Sequence, residues 1–158
     1  MNTFNINEKK FYSSFTILYP WFNNFTIVQY KNYPKKFLVR RRYYGNNNKQ
    51  IRNYSIINLS SSTQVRVKNH RNKISSYRVV ASVMISSELP SGSEVHHIDH
   101  NHDNNNPDNL LIVTHEQHIL LHKKLRESIA KYYNKNSING FIEYQLLVES
   151  IKNNMTKL

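Results

Sequence analysis

Cysteine is absent from the 158 residues, which excludes both a disulfide scaffold and a thiolate metal site. Any metal must therefore be held by histidine, asparagine or carboxylate. Glycine is almost as scarce, with three residues, and proline has four, so turns must be made largely by Asn, Asp and Ser. No long apolar run follows a charged leader, and the aromatic stretch from Phe11 to Tyr30 is broken by Ser, Thr, Asn and Pro. A soluble, intracellular protein is expected. Acidic residues are missing altogether from Lys9 to Ser87, a stretch that holds 15 of the 22 Lys and Arg residues.

That one-sided distribution says more than the net charge of +12. A polyanion is attracted to such a surface and releases counterions on contact, so nucleic acid is the expected partner, ahead of an anionic membrane. The hydrophobic fraction of 39% suffices for a core, and the length suits one compact domain with an extension.

Periodicity predicts an α+β fold: a small antiparallel β-rich N-terminal region, then a two-strand and helix unit, then C-terminal helices. Residues 1–30 offer one short strand at Phe25–Val28 and no motif. Further strands are expected at Phe37–Tyr43, Ile51–Ile57 and Gln64–Lys68, with turns at Gly45–Lys49 and Asn69–Lys73. The basic residues Lys35, Lys36, Arg40, Arg41, Arg42, Arg66, Lys68, Arg71 and Lys73 fall in this half and are the candidate nucleic-acid contacts. Residues 1–75 are thus read as a basic DNA-binding extension.

Val79, Val80, Val83 and Met84 recur at helical spacing, and Leu89-Pro90-Ser91-Gly92 ends that helix. Strands at Glu94–His97 and Leu110–Val113 flank a polar loop rich in Asn and Asp. Thr114 and Gln117 form a capping box for a helix from His115 to about Tyr133. Residues 76–133 make up the predicted core, and 134–158 a C-terminal amphipathic helix from about Asn139 to Lys152.

His118 and His122 stand four apart on the predicted helix, so their rings share a face and can share a metal. Such a pair also arises by chance on helix surfaces. The preceding hairpin adds weight, because packing through Val95, Leu111, Val113, Leu121 and Leu125 would bring His96 near the pair as a third ligand. Strand alternation then turns His97 away, outward toward a substrate. Three protein ligands leave a coordination position open, as catalytic metals require.

The run Val95-His96-His97-Ile98-Asp99-His100-Asn101, with Asn104-Asn105, Asn106-Pro107-Asp108-Asn109-Leu110, Thr114 to His118 and His122, resembles the HNH endonuclease family with its ββα-metal motif. The lead-in Tyr77-Arg78-Val79-Val80 and Glu88-Leu89-Pro90 is similar too. The resemblance implies an endonuclease acting on double-stranded DNA with one divalent metal ion (Mg, Mn, Zn or Ni) and no other small-molecule cofactor. It implies His96 and His118 as ligands, joined by His122 in some members, with His97 as general base and Asn109 bracing the loop. His100 departs from the family, which often has Gly there. Asp99, Asp103 and Asp108 are read as turn formers, and His70, His100, His102 and His115 receive no role. The competing reading is a non-catalytic DNA-binding module with a structural zinc; a metal-free RNA-binding protein is a third.

Overall fold

The computed structural model describes residues 3–45, 51–60, 63–68, 70–133 and 139–155. The expected turn residues 46–49 and Asn69 lie outside that set. The chain is α+β, as its periodicity predicts. Strands β1 (Thr3–Asn7), β2 (Phe15–Ile17), β3 (Phe25–Tyr30), β4 (Lys36–Tyr44) and β5 (Ile51–Asn58) form one antiparallel sheet in the order β1-β5-β4-β3-β2. Helix α1 (Glu8–Ser14) links β1 to β2, with Asn7 as its cap accepting from the Lys10 amide at 2.9 Å. Sequence periodicity misses β1, α1 and β2, because strands of three to five residues hold too few alternations to stand out.

Both faces of this sheet are buried. On one, Phe11 of α1 stacks on Tyr54 with ring centroids 4.2 Å apart, among Phe15, Val28, Phe37, Val39 and Ile56. On the other, Phe25, Ile27, Leu38 and Ile57 pack against Val79, Val80 and Val83 of α2 (Ser76–Ile85). A short ribbon of β6 (Gln64–Arg66) and β7 (Lys73–Ser75) leads into α2. Lys68, expected inside the third strand, instead lies in the turn after Arg66.

The hairpin of β8 (Glu94–His97) and β9 (Leu110–Val113) follows, with Glu94 opposite Val113 and His97 opposite Leu110. Its two faces look in different directions. Val95, Leu110 and Ile112 join the core shared with α2 and the large sheet, while Leu111 and Val113 join Leu121 of α3 (His115–Tyr133) and Tyr144, Val148 and Ile151 of α4 (Asn139–Met155). The expectation that Val95 packs on the α3 side is corrected here. Period-two alternation places it beside Ile112, opposite to Leu111 and Val113. The predicted capping box forms, Gln117 donating its amide to Thr114 Oγ1 at 3.1 Å and accepting from the Thr114 amide at 2.9 Å. Among the described residues no helix is long and apolar enough to cross a membrane.

Candidate metal centre and nucleic-acid interface

Strand alternation sets the site. Glu94 and His96 project toward α3 and α4, whereas Val95 and His97 project toward α2. On the first side, one ligand atom each from His96, His118 and His122 lies within 4.8 Å of the others. The ring centroid of His96 stands 5.2 Å from those of both helical histidines, which are 4.8 Å from each other. Three imidazoles at this spacing, with no carboxylate among them, suit a borderline divalent ion such as zinc or nickel.

The orientation of His118 is determined from behind. Its Nδ1 meets Glu94 Oε2 at 2.5 Å, which leaves Nε2 facing His122 Nε2 at 3.1 Å. A carboxylate behind a ligating ring is the usual way to lock its tautomer. Glu94 also pairs with His115 Nδ1 at 2.9 Å, and these two histidine contacts are what lower its pKa. Sequence reasoning took Glu94 only as the start of a strand. Its position two residues before His96 was the available signal, since it puts both on one face.

His96 is 2% exposed and pairs through Nε2 with the Tyr144 hydroxyl at 2.9 Å. Burial, with His100, His118 and His122 around it, pushes its pKa down to about 3, so the ring is neutral and competent as a ligand. Burial likewise lowers His122 and His100. His100 adopts φ of +61°, the left-handed region that favours glycine. Its ring lies 5.2 Å from His96 and 5.8 Å from His122, with Nε2 buried and lacking a hydrogen-bond partner among the described residues.

His97 does turn away from His96, but it does not reach open solvent. It is 4% exposed, with Tyr77 of α2 at 5.2 Å and His102 at 5.1 Å from its ring. The outward expectation assumed a hairpin with one wet face, whereas α2 and the loop cover that face. His97 Nε2 lies 2.9 Å from Asn105 Oδ1. An amide oxygen only accepts, so Nε2 carries the proton and Nδ1 holds the free lone pair.

Asn109 spans the loop. Its Oδ1 accepts from the Asp99 amide at 2.9 Å, and its Nδ2 donates to Asp99 Oδ1 and to the Asn104 carbonyl, both at 2.8 Å. Asp99 further accepts from the Asn101 amide and from Asn104 Nδ2. The Asn105 amide donates to the Leu59 carbonyl at 2.9 Å, and Lys36 Nζ meets Asp108 Oδ2 at 2.7 Å. Both contacts fasten the loop to the large sheet.

The basic residues divide by face. Arg40, Arg42, Arg66, Lys68 and Lys73 line an open groove of about 970 Å³, with Tyr43 and Tyr44 beside them. Burial, with Arg42 and Arg66 close by, lowers the Arg40 pKa, which marks a cluster of like charge. Arg41 borders the same groove, yet its guanidinium turns the other way, 4.4 Å from the Trp21 ring, with Nε buried and unpartnered among the described residues. Lys36 is committed to Asp108, Lys35 sits 5.3 Å from the Phe37 ring, and Arg71 is exposed outside the groove lining.

Residues 79–120 match the family model for HNH endonuclease. No curated protein matches the chain. No solved structure matches it either.

Proposed function

Because residues 79–120 match the family model for HNH endonuclease, we propose that this protein hydrolyses DNA phosphodiester bonds with one divalent metal ion held by His96, His118 and His122 and with His97 as general base. The observation that carries the reading is the division of labour across one strand. One nitrogen from each of three imidazoles gathers within 4.8 Å on one side, and the adjacent histidine on the other is excluded from that cluster and held through a single nitrogen.

Hydrolysis of a phosphodiester requires a positioned base, a stabilised phosphoryl oxygen and help for the departing sugar oxygen. A bound divalent ion supplies the last two by Lewis acidity. The chain's own groups do the rest. His97 Nδ1, whose lone pair the Asn105 contact leaves free, takes the proton of the attacking water. Asn105 accepts from Nε2–H and holds that tautomer throughout. Asn109 is a positioning residue, keeping Asp99 and Asn104 together so that the loop under His97 does not shift. Residues 76–133 are the nuclease core in this reading, residues 1–75 the basic DNA-binding extension, and residues 134–158 carry the helix that closes the ligand side. A homing endonuclease or nickase is the biological setting we favour.

One observation favours the competing structural zinc site: His100 Nε2, unpaired among the described residues and beside His96 and His122, could supply a fourth nitrogen. A cleavage assay separates the two. Supercoiled plasmid is incubated with purified protein and Mg²⁺, Mn²⁺, Zn²⁺ or Ni²⁺, with EDTA as control. Cleavage that falls roughly 10²- to 10⁴-fold in His97→Ala, with metal and DNA binding retained, supports the nuclease. Wild-type protein that binds zinc and DNA but leaves plasmid intact with every metal overturns it.

A further inference from the structure

We infer that Tyr144, on the C-terminal helix, is a positioning residue that holds His96 in the tautomer offering Nδ1, and not Nε2, to the metal. The inference rests on the metal-site reading above and adds to it a residue outside the matched segment 79–120.

The argument is one of proton counting. The Tyr144 hydroxyl oxygen is 2.9 Å from His96 Nε2 and 2.9 Å from the Ile98 carbonyl oxygen. A carbonyl accepts and never donates, so the single phenolic proton goes to Ile98. The phenol oxygen then faces Nε2 with lone pairs alone, and a hydrogen bond exists there only if Nε2 carries a proton. A neutral imidazole has one N–H, so Nδ1 of His96 is left bare. His118 takes the opposite assignment, because its Nδ1 is engaged by Glu94 and its Nε2 faces the cluster, 3.1 Å from His122 Nε2. The two rings therefore meet the ion through different nitrogens, each braced from behind by a different group.

The brace is well anchored. Tyr144 is buried among Leu111, Leu121, Val148 and Ile151, so its ring has little freedom to swing. Ile98, the acceptor, follows His97 directly and donates its own amide to the Asn109 carbonyl at 2.9 Å. One phenol thus ties the end of β8, where both key histidines sit, to a helix far away in sequence. A polar hydroxyl placed in this apolar cluster is costly unless both of its hydrogen bonds are made, and both are.

The test uses the full chain, with zinc as probe. Zinc affinity of wild type and Tyr144→Phe is measured by chelator competition, with the melting temperature of each metal-free protein as a control for folding. Long-range ¹H–¹⁵N correlation spectra of zinc-loaded wild type report which nitrogen of each ring is coordinated. The expected results are a 10- to 100-fold loss of affinity in Tyr144→Phe with the fold retained, and in wild type, coordination through Nδ1 for His96 and Nε2 for His118. Unchanged affinity in the folded variant, or His96 coordinated through Nε2, overturns the inference and leaves the nuclease reading standing. Failure of wild type to bind zinc, nickel or manganese overturns the metal site itself and this inference with it. The wild-type spectrum needs no substitution, so it decides the matter even if the variant fails to fold.

Discussion

His118 Nδ1 rests on Glu94 Oε2, and that one contact aims Nε2 of the same ring at His122, 3.1 Å away. The helical pair alone leaves each ring free to rotate; the strand carboxylate converts it into half of a preformed site.

Replacement of Glu94 by Ala should therefore weaken metal binding by about 10- to 100-fold, the usual effect of losing a carboxylate behind a ligating histidine. Chelator competition measures it. Fold stability should change little, because Glu94 is a partly exposed group whose ion pairs contribute weakly. An affinity equal to wild type would show that His118 is oriented without it.

Asn105 should separate binding from turnover. Asn105→Ala frees His97 to exchange tautomers, so the rate of plasmid cleavage should fall about 10- to 100-fold while zinc affinity stays as in wild type. Asn105 is fully buried and its amide bonds Leu59, so urea denaturation is run alongside to confirm that the variant is folded.

The metal-free protein should be labile in acid. His96, His100 and His122 all have pKa values lowered from 6.5 in the fold, His96 to about 3. Between those values the unfolded chain binds more protons than the folded one, so stability is complete above about pH 6.5 and declines as pH falls toward 3. The lowered carboxyls of Glu94 and Asp99 act in the same direction at the acid end. His115, raised by Glu94, acts oppositely, but it is exposed and its effect is small. Urea midpoints measured in EDTA should be lower at pH 5 than at pH 7.5; an equal or higher midpoint at pH 5 would contradict the buried, neutral cluster.

The arginine run should split in function. Arg66→Ala and Lys68→Ala should each weaken DNA binding and lower the salt slope of log K by about 0.9 for each phosphate no longer neutralised. Arg41→Ala should leave that slope alone and instead cost about 1 kcal/mol of stability, through removal of its packing on Trp21. Filter binding over a range of salt, with thermal melts of the same proteins, tests both halves.

Much of the site is legible because its signals are local. The spacing of His118 and His122, the capping box of Thr114 and Gln117, and the adjacent pair His96-His97 each lie within one element, where backbone periodicity alone sets side-chain direction. Arg40, Arg41 and Arg42 show where local reading stops. Alternation says that Arg41 must face away from its neighbours, but only the packing of α1 and Trp21 shows that its side is a covered one. Asn105 and Tyr144 escape a reading of the sequence for the same reason: each meets a histidine through a contact whose geometry no spacing rule contains.

The amino-acid sequence by itself determined the ring pairs and the polarity of the surface, since these follow from residue type and from the repeat of strand and helix. Tertiary structure alone decided which faces of the hairpin are covered, which nitrogen of each imidazole is left free, and which basic side chains remain available to a polyanion. Those outcomes depend on elements distant in the chain meeting in space, as β8 meets α2 on one side and α3 and α4 on the other.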